Sequence, residues 1–360
     1  MALLILSGGF NSFAQSTKLS PGFSKSEYEE LLRISTRQGD SLYNPDLPAP
    51  TKFKRIYRSE PIALDNRWEL WLSSDSILAI SLRGTTFKVE SWVENFFAAM
   101  SPLEGSFIYG DSLELPYYLG EDPRAGVHTG WLIGAAFLFE DIKPKLDSCL
   151  AKGFNQVLIV GHSQGGALAY LLSSMLKQFQ RYNCTYAQLV FKTYASAAPK
   201  PGNLYYAYEF ESYFQEGWFY NVVNSADWVP EGPFSVQTTD DYNTSNPFKI
   251  AESEIAKLKF PNNLIMGYVY RDLDHPTQRA NRKLSKYLGD YISREVPKYI
   301  PGFQTPEFME SSNYVRVGRN IVLYADEKYY QEFPNLDGEI WQHHKFEAYF
   351  YLLDRLPEKL

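Results

Sequence analysis

The stretch VLIVGHSQGGALAYLL, residues 157–172, constrains the fold of this 360-residue chain more than any other. An apolar, mostly β-branched run ends at Gly161; Ser163 stands two residues from Gly161 and two from Gly165. Beyond it Leu168, Leu171, Leu172, Met175, Leu176 and Phe179 fall at helical spacing, which predicts a helix with one apolar stripe. Glycine-x-serine-x-glycine alone is common by chance. Between a buried strand and a periodic helix, however, it predicts a nucleophile elbow. There a tight turn strains the serine backbone, leaves room beside it only for hydrogen, and lifts the hydroxyl above the sheet edge. The serine then sits at a helix N-terminus, whose free N–H groups favour developing negative charge.

The rest of the chain supplies a setting for such a turn. SILAISLRGTT (76–86), QVLIV, QLVFKTYAS and WFYNVV read as buried strands, with a helix at GWLIGAAFLFEDIKPKL. Alternating β and α units predict an α/β fold, a mainly parallel central sheet with helices on both faces. Before it, SKSEYEELLRIST (24–36) reads as a helix capped by Ser24 or Ser26, and FKRIYRS and RWELWLSSD as antiparallel strands. Residues 231–312 break the rhythm with polar, Pro- and Asn-rich sequence and a helix expected near 278–296. YVRVGRNIVLYAD then returns to strand, and HHKFEAYFYLLDRL reads as a closing helix. The expected organisation is one domain over 15–360, with an insertion at about 231–312 before the C-terminal helix.

Residues 1–14 combine an apolar segment with Ser12-Phe13-Ala14, a small-x-small pattern of the signal-peptidase type, though without a basic start. They read as a signal peptide, with a secreted or periplasmic location, the alternative being a loose hydrophobic terminus and a cytoplasmic one. The net charge of −7 and the lack of a sustained basic run argue against nucleic-acid partners and against electrostatic docking on anionic lipid. The longest apolar runs, such as WLIGAAFLF, are too short to span a bilayer. Cys149 and Cys184 flank the Ser163 segment; they either pair in an exported protein or remain two free thiols. No feature of the sequence sets an oligomeric state.

A serine hydroxyl needs a base to take its proton and an acid to orient that base. His128 precedes the elbow, and His162, beside the serine, cannot fold its ring back onto the hydroxyl. His275, His343 and His344 remain, all downstream. For the acid, Asp227 in VVNSADWVP lies just past a strand's carboxyl end, where sites of parallel sheets gather; Asp240 and Asp241 lie in polar sequence away from any strand end. An oxyanion hole needs two backbone N–H groups, one from Gln164 after the nucleophile and one from Thr85 in SLRGTT, where Arg83 and Gly84 turn the chain. This chemistry requires neither metal nor organic cofactor.

Several of these motifs together resemble the class 3 lipases, the α/β-hydrolases related to fungal triacylglycerol lipases. SLRGTT with SWVENF resembles their oxyanion strand and following Trp; VHTGW, VGHSQGGALA, YASAAPKPGN and YNVVNSADWVP resemble further family segments in the same order. The resemblance covers about residues 76–230 and, more loosely, the C-terminus. It implies Ser163 as nucleophile, Asp227 as acid, Thr85 and Gln164 as oxyanion donors, and an ester or lipid substrate, acylglycerols foremost, met in part at a lipid interface; a phospholipase or short-chain esterase with the same triad, and a hydrolase-like scaffold used only for binding or regulation, stay open beside it. The family histidine stands five residues before a Tyr on a closing helix, which points to His344 ahead of Tyr349. The segment between Phe96 and Arg124, apolar and aromatic, lies where related lipases carry a lid, and reads either as a lid or as an ordinary connecting loop.

Overall fold

The computed structural model describes residues 19–39 and 46–357; the expected signal segment lies outside them. The chain opens with α1 (Lys25–Ser35), β1 (Phe53–Arg58), β2 (Trp68–Ser73), β3 (Leu78–Leu82) and α2 (Val89–Phe96). Three short segments follow, β4 (Met100–Pro102), β5 (Glu104–Tyr109) and β6 (Leu113–Tyr118), then β7 (Gly126–His128) and α3 (Thr129–Ala151). The central units are β8 (Gln156–His162), α4 (Gln164–Tyr182), β9 (Val190–Ser196), β10 (Gly202–Asn203), α5 (Leu204–Tyr213) and β11 (Phe219–Asn224). The chain ends with α6 (Phe248–Ala256), α7 (Asn262–Ser285), β12 (Tyr314–Val315), β13 (Arg319–Leu323), α8 (Glu327–Glu332) and α9 (Phe346–Arg355).

Seven strands form the main sheet in the order β1-β2-β3-β8-β9-β11-β13. The first two pair antiparallel, and β3 onward run parallel. Alternate residues of β8 supply two cores: Val157 and Ile159 pack with α3 and α4, whereas Leu158 and Val160 pack with α1 and α9. Both faces are therefore covered, and with the strand-turn-helix at β8–α4 the architecture is an α/β-hydrolase fold. Ser24 caps α1 by accepting from Glu27 N–H, as its position in the sequence suggests.

Two sequence expectations change, and one open alternative is decided. The helix expected near 278–296 begins earlier, as α7 at Asn262, and is preceded by α6; among its described residues α7 buries only Asn281, so its first half carries no one-sided stripe to read. Residues 101–120 do not form a lid. They make β4 and the β5–β6 hairpin, which sinks Phe107, Leu115 and Tyr117 into the core beside Phe303. Of the two alternatives for Cys149 and Cys184, the structure holds free thiols, the first half-buried and the second exposed.

Candidate active site

Ser163 joins β8 to α4 with φ 62° and ψ −130°, a left-handed backbone that a residue with a side chain adopts only under constraint. The constraint is close approach. A Cβ on Gly161 would lie 1.9 Å from Gly165 O, and one on Gly165 would lie 2.4 Å from Leu82 O, so neither glycine has a substitute. The turn holds Ser163 at the mouth of α4 while its N–H donates to Ser196 O at 2.9 Å.

His344 ends a short 3-10 turn, Gln342–His344, just before α9. Its Nδ1–H donates to Asp227 Oδ2 at 2.7 Å; Tyr349 Oη–H donates to the same oxygen at 2.8 Å, and Val229 N–H to Asp227 Oδ1 at 3.0 Å. Asp227 stands just past the carboxyl end of β11 with its side chain wholly buried. The Nδ1–H bond leaves the Nε2 lone pair of His344 as the acceptor, and His344, Ser163 and Thr85 together line a cleft of about 700 Å³. Phe87, Trp92 and Trp341 form its apolar wall.

His162, which the sequence sets aside as base, has a different part here. Tyr28 Oη–H donates to Ser196 Oγ at 2.7 Å, Ser196 Oγ–H to His162 Nδ1 at 2.9 Å, and His162 Nε2–H to the His344 carbonyl at 3.0 Å. This is the tautomer that satisfies every partner. Burial, aided by the neighbouring His344, keeps the His162 imidazole well below its ordinary pKa, so it is a neutral strut for the His344 backbone.

The loop after β3 reaches the elbow from the other side. A Cβ on Gly84 would lie 2.9 Å from His162 O and 3.5 Å from Ser163 Cβ, which brings the next residue, Thr85, beside the serine. The N–H groups of Thr85 and Gln164 donate no hydrogen bond among the described residues. Asp65 pins this loop by accepting from Thr86 Oγ1 at 2.7 Å and Lys88 Nζ at 2.8 Å. Burial opposes its charge, but Lys88, Thr86 and Arg83 hold its carboxyl below the usual range.

The Gln164 side chain is a hub that sequence reasoning missed. Its Oε1 accepts from Thr85 Oγ1 at 3.0 Å, Ser91 Oγ at 3.2 Å and Asn95 Nδ2 at 3.2 Å, while Nε2–H donates to Glu94 Oε1 at 2.8 Å. Asn95 also donates to Thr85 Oγ1 at 2.9 Å, and is itself gripped by Trp131 Nε1–H at 2.9 Å and His128 Nε2–H at 3.1 Å. SWVENF and VHTGW, noted in the sequence only as resemblances, thus meet at Asn95. The run of polar residues on α2 was the available signal.

The remaining candidates lie elsewhere. His343 is engaged through Nδ1 with Tyr329 Oη and through Nε2 with Asn335 Oδ1, both at 2.8 Å, and does not line the cleft. His275 is exposed on α7. Asp240 and Asp241 lie in a 3-10 turn, where Asp241 makes a capping box with Thr238 and accepts from Ser311 Oγ at 2.6 Å. His128 caps α3 from a buried site that drives its pKa down to about 3.

Residues 79–237 match the family described as lipase (class 3). Among curated proteins none matches the chain. Solved structures similar to it include the Rhizomucor miehei triacylglyceride lipase, 19% identical over 59% of this chain and 77% of that one, with a TM-score of 0.43. The Lip2 lipase of Yarrowia lipolytica is 19% identical over 61% and 78%, TM-score 0.45. A triacylglycerol lipase from Penicillium expansum is 18% identical over 57% and 72%, TM-score 0.42.

Proposed function

Residues 79–237 carry the sequence of the class 3 lipase family, and from that premise we propose that the chain is a serine hydrolase of lipid carboxylic esters, acylglycerols foremost, acting through an acyl-enzyme. The observation that carries this reading is the strained Ser163 sharing one apolar cleft with a histidine whose Nδ1 is tied to a buried carboxylate. In the proposed cycle His344 Nε2 takes the Ser163 hydroxyl proton as Oγ attacks the ester carbonyl carbon. The negative oxygen is held by the N–H groups of Thr85 and Gln164. His344 then gives its proton to the leaving alcohol as the ester C–O bond breaks. Water, deprotonated by the same nitrogen, attacks the acyl-serine; the proton passes back to Ser163 Oγ and the acid departs. Asp227 holds the imidazole tautomer and stabilises its charged form. The aromatic wall of Phe87, Trp92 and Trp341 suits an acyl chain better than a charged group.

The test is a chain-length series of chromogenic esters together with emulsified triacylglycerol. Ser163→Ala and His344→Ala are expected to lower turnover by about a millionfold, whereas His343→Ala and His275→Ala keep it within about tenfold of wild type. Retained activity in His344→Ala would overturn the assignment of the base. Absence of any ester turnover by wild type would overturn the reading as a whole.

A further inference from the structure

Helices α6 and α7 form an arm with an unusual surface. No residue of α6 is buried, and α7 buries only Asn281 near its end. The two helices touch each other where Ile255 Cγ2 lies 3.7 Å from the place of a Gly267 Cβ. Phe248 at the start of α6 packs on Tyr242 at 4.8 Å between ring centroids, and α7 is tied to the body by Asp274, which accepts from Thr239 Oγ1 at 2.8 Å, and then by Gln278 to Asp240 and Asn281 to Ser312. Ahead of that anchor lie about 18 Å of α7 helix. At the outer end Leu258, Phe260, Leu264, Ile265 and Met266 all stand in solvent, Phe260 at 80% exposure.

The charge there differs from that of the whole chain. Between residues 248 and 286 eight Lys and Arg stand against four Asp and Glu, in a protein whose net charge is −7. Lys249, Lys259 and Arg271 have no carboxylate partner among the described residues; Lys259 flanks the apolar tip directly, as does Lys257, which pairs with Glu254 at 2.5 Å. A clustered apolar tip ringed by cations on long stems is chemistry suited to a headgroup layer, where the tip enters the acyl boundary and the ammonium groups remain among phosphates. A second copy of the chain would bring two such positive arms together, which repulsion disfavours.

We propose that the α6–α7 arm docks the protein on a phospholipid surface bearing anionic headgroups. The overall charge argued against such docking; segregation of charge onto one projecting element reverses that conclusion locally. The proposal deepens the lipid-ester reading by naming the surface where substrate is met, and rests on that reading only for its purpose. The arm joins the cleft's own wall: Ala99, three residues beyond the end of α2, donates its N–H to Leu288 O at 3.2 Å just past α7, and α2 carries the cleft residue Trp92.

The experiment uses the full chain as Ser163→Ala, so that hydrolysis cannot alter the lipid. It is sedimented with phosphatidylcholine vesicles, and with vesicles containing about a quarter phosphatidylglycerol. Partition onto the anionic vesicles is expected to exceed that onto neutral ones by about tenfold and to weaken with salt. Adding Phe260→Ser, Leu264→Ser and Ile265→Ser is expected to reduce it at least about tenfold. The same three substitutions in the wild-type background should leave soluble-ester turnover and the melting temperature unchanged, which excludes misfolding. Equal partition of parent and triple-serine chains, no preference for anionic vesicles, or no sedimentation at all would overturn the proposal. So would a parent dimer that the three serines convert to monomer. Failure of soluble-ester turnover in wild type would instead count against the ester-hydrolase reading and leave the vesicle result standing.

Discussion

At the residue scale the site depends on side chains that never meet substrate. Asn95 bonds Thr85 and Gln164 while Trp131 and His128 hold it from behind, so the loop that carries the proposed oxyanion donor Thr85 is fixed by packing on α2 and α3. Such preorganisation matters because a donor that must reorient during reaction loses much of its stabilising effect. Asn95→Ala is expected to lower kcat by about tenfold to a hundredfold with KM for a soluble ester changed less than about twofold. Steady-state kinetics at one pH checks this; a rise in KM with kcat intact would place Asn95 in substrate binding instead. The proposed roles of Ser163, Asp227, Thr85 and the Gln164 backbone could be read from sequence because these residues sit at strand ends that punctuate the chain. The strut from His162 to the His344 carbonyl was not, since it joins residues 182 positions apart.

At the element scale, position in the sequence misled where packing decides. The apolar content of residues 101–120 suggested a lid, yet alternation along β5 and β6 buries one face of that hairpin in the main core. Phe107 is 1% exposed and stacks with Tyr117 at 4.8 Å between centroids. Phe107→Ala is therefore expected to destabilise the fold by about 3–5 kcal/mol. Urea unfolding measures it, and an unchanged midpoint would show the hairpin to be loosely attached. The cleft rim belongs instead to α2 and the loop before it, where Phe87, Val89 and Phe96 are exposed. Helix α6 and the first half of α7 escaped sequence reading for the opposite reason: helical periodicity reports burial on one face, and among the described residues they bury no side chain.

At the scale of the whole molecule, buried ionisable groups set how stability varies with pH. Burial raises the Glu94 carboxyl to about 8, despite the hydrogen bonds from Asn66 and Gln164. Its folded pKa lies above the ordinary 4.5, so its contribution is complete below about pH 4.5 and is lost as pH rises through 8. His128 has the reverse sign: with its pKa depressed from 6.5 to about 3, its contribution is present above 6.5 and is lost as pH falls through 3. His162 acts in the same direction as His128. Stability measured by urea unfolding from pH 4 to pH 8 should thus decline towards both ends. Relative to wild type, Glu94→Gln is expected to gain stability steadily above about pH 5, reaching the order of a few kcal/mol at pH 8. His128→Asn, which keeps a cap for α3, should gain below about pH 6. Curves parallel to wild type would show that neither group carries the effect.

By itself the sequence determined the sheet, the elbow and most of the proposed catalytic set, because strand burial, helical period and the glycines beside Ser163 are local properties written in consecutive residues. Tertiary structure decided everything that joins distant segments. It selected His344 for the cleft over His343 and His275, since only the fold places one imidazole against Asp227 and turns another towards Tyr329. It also left residues 248–286, whose eight cations and apolar tip are consecutive in the sequence, on an arm that buries only Asn281. Net charge is a sum over the chain, and a lipid surface responds to the charge within a Debye length of it.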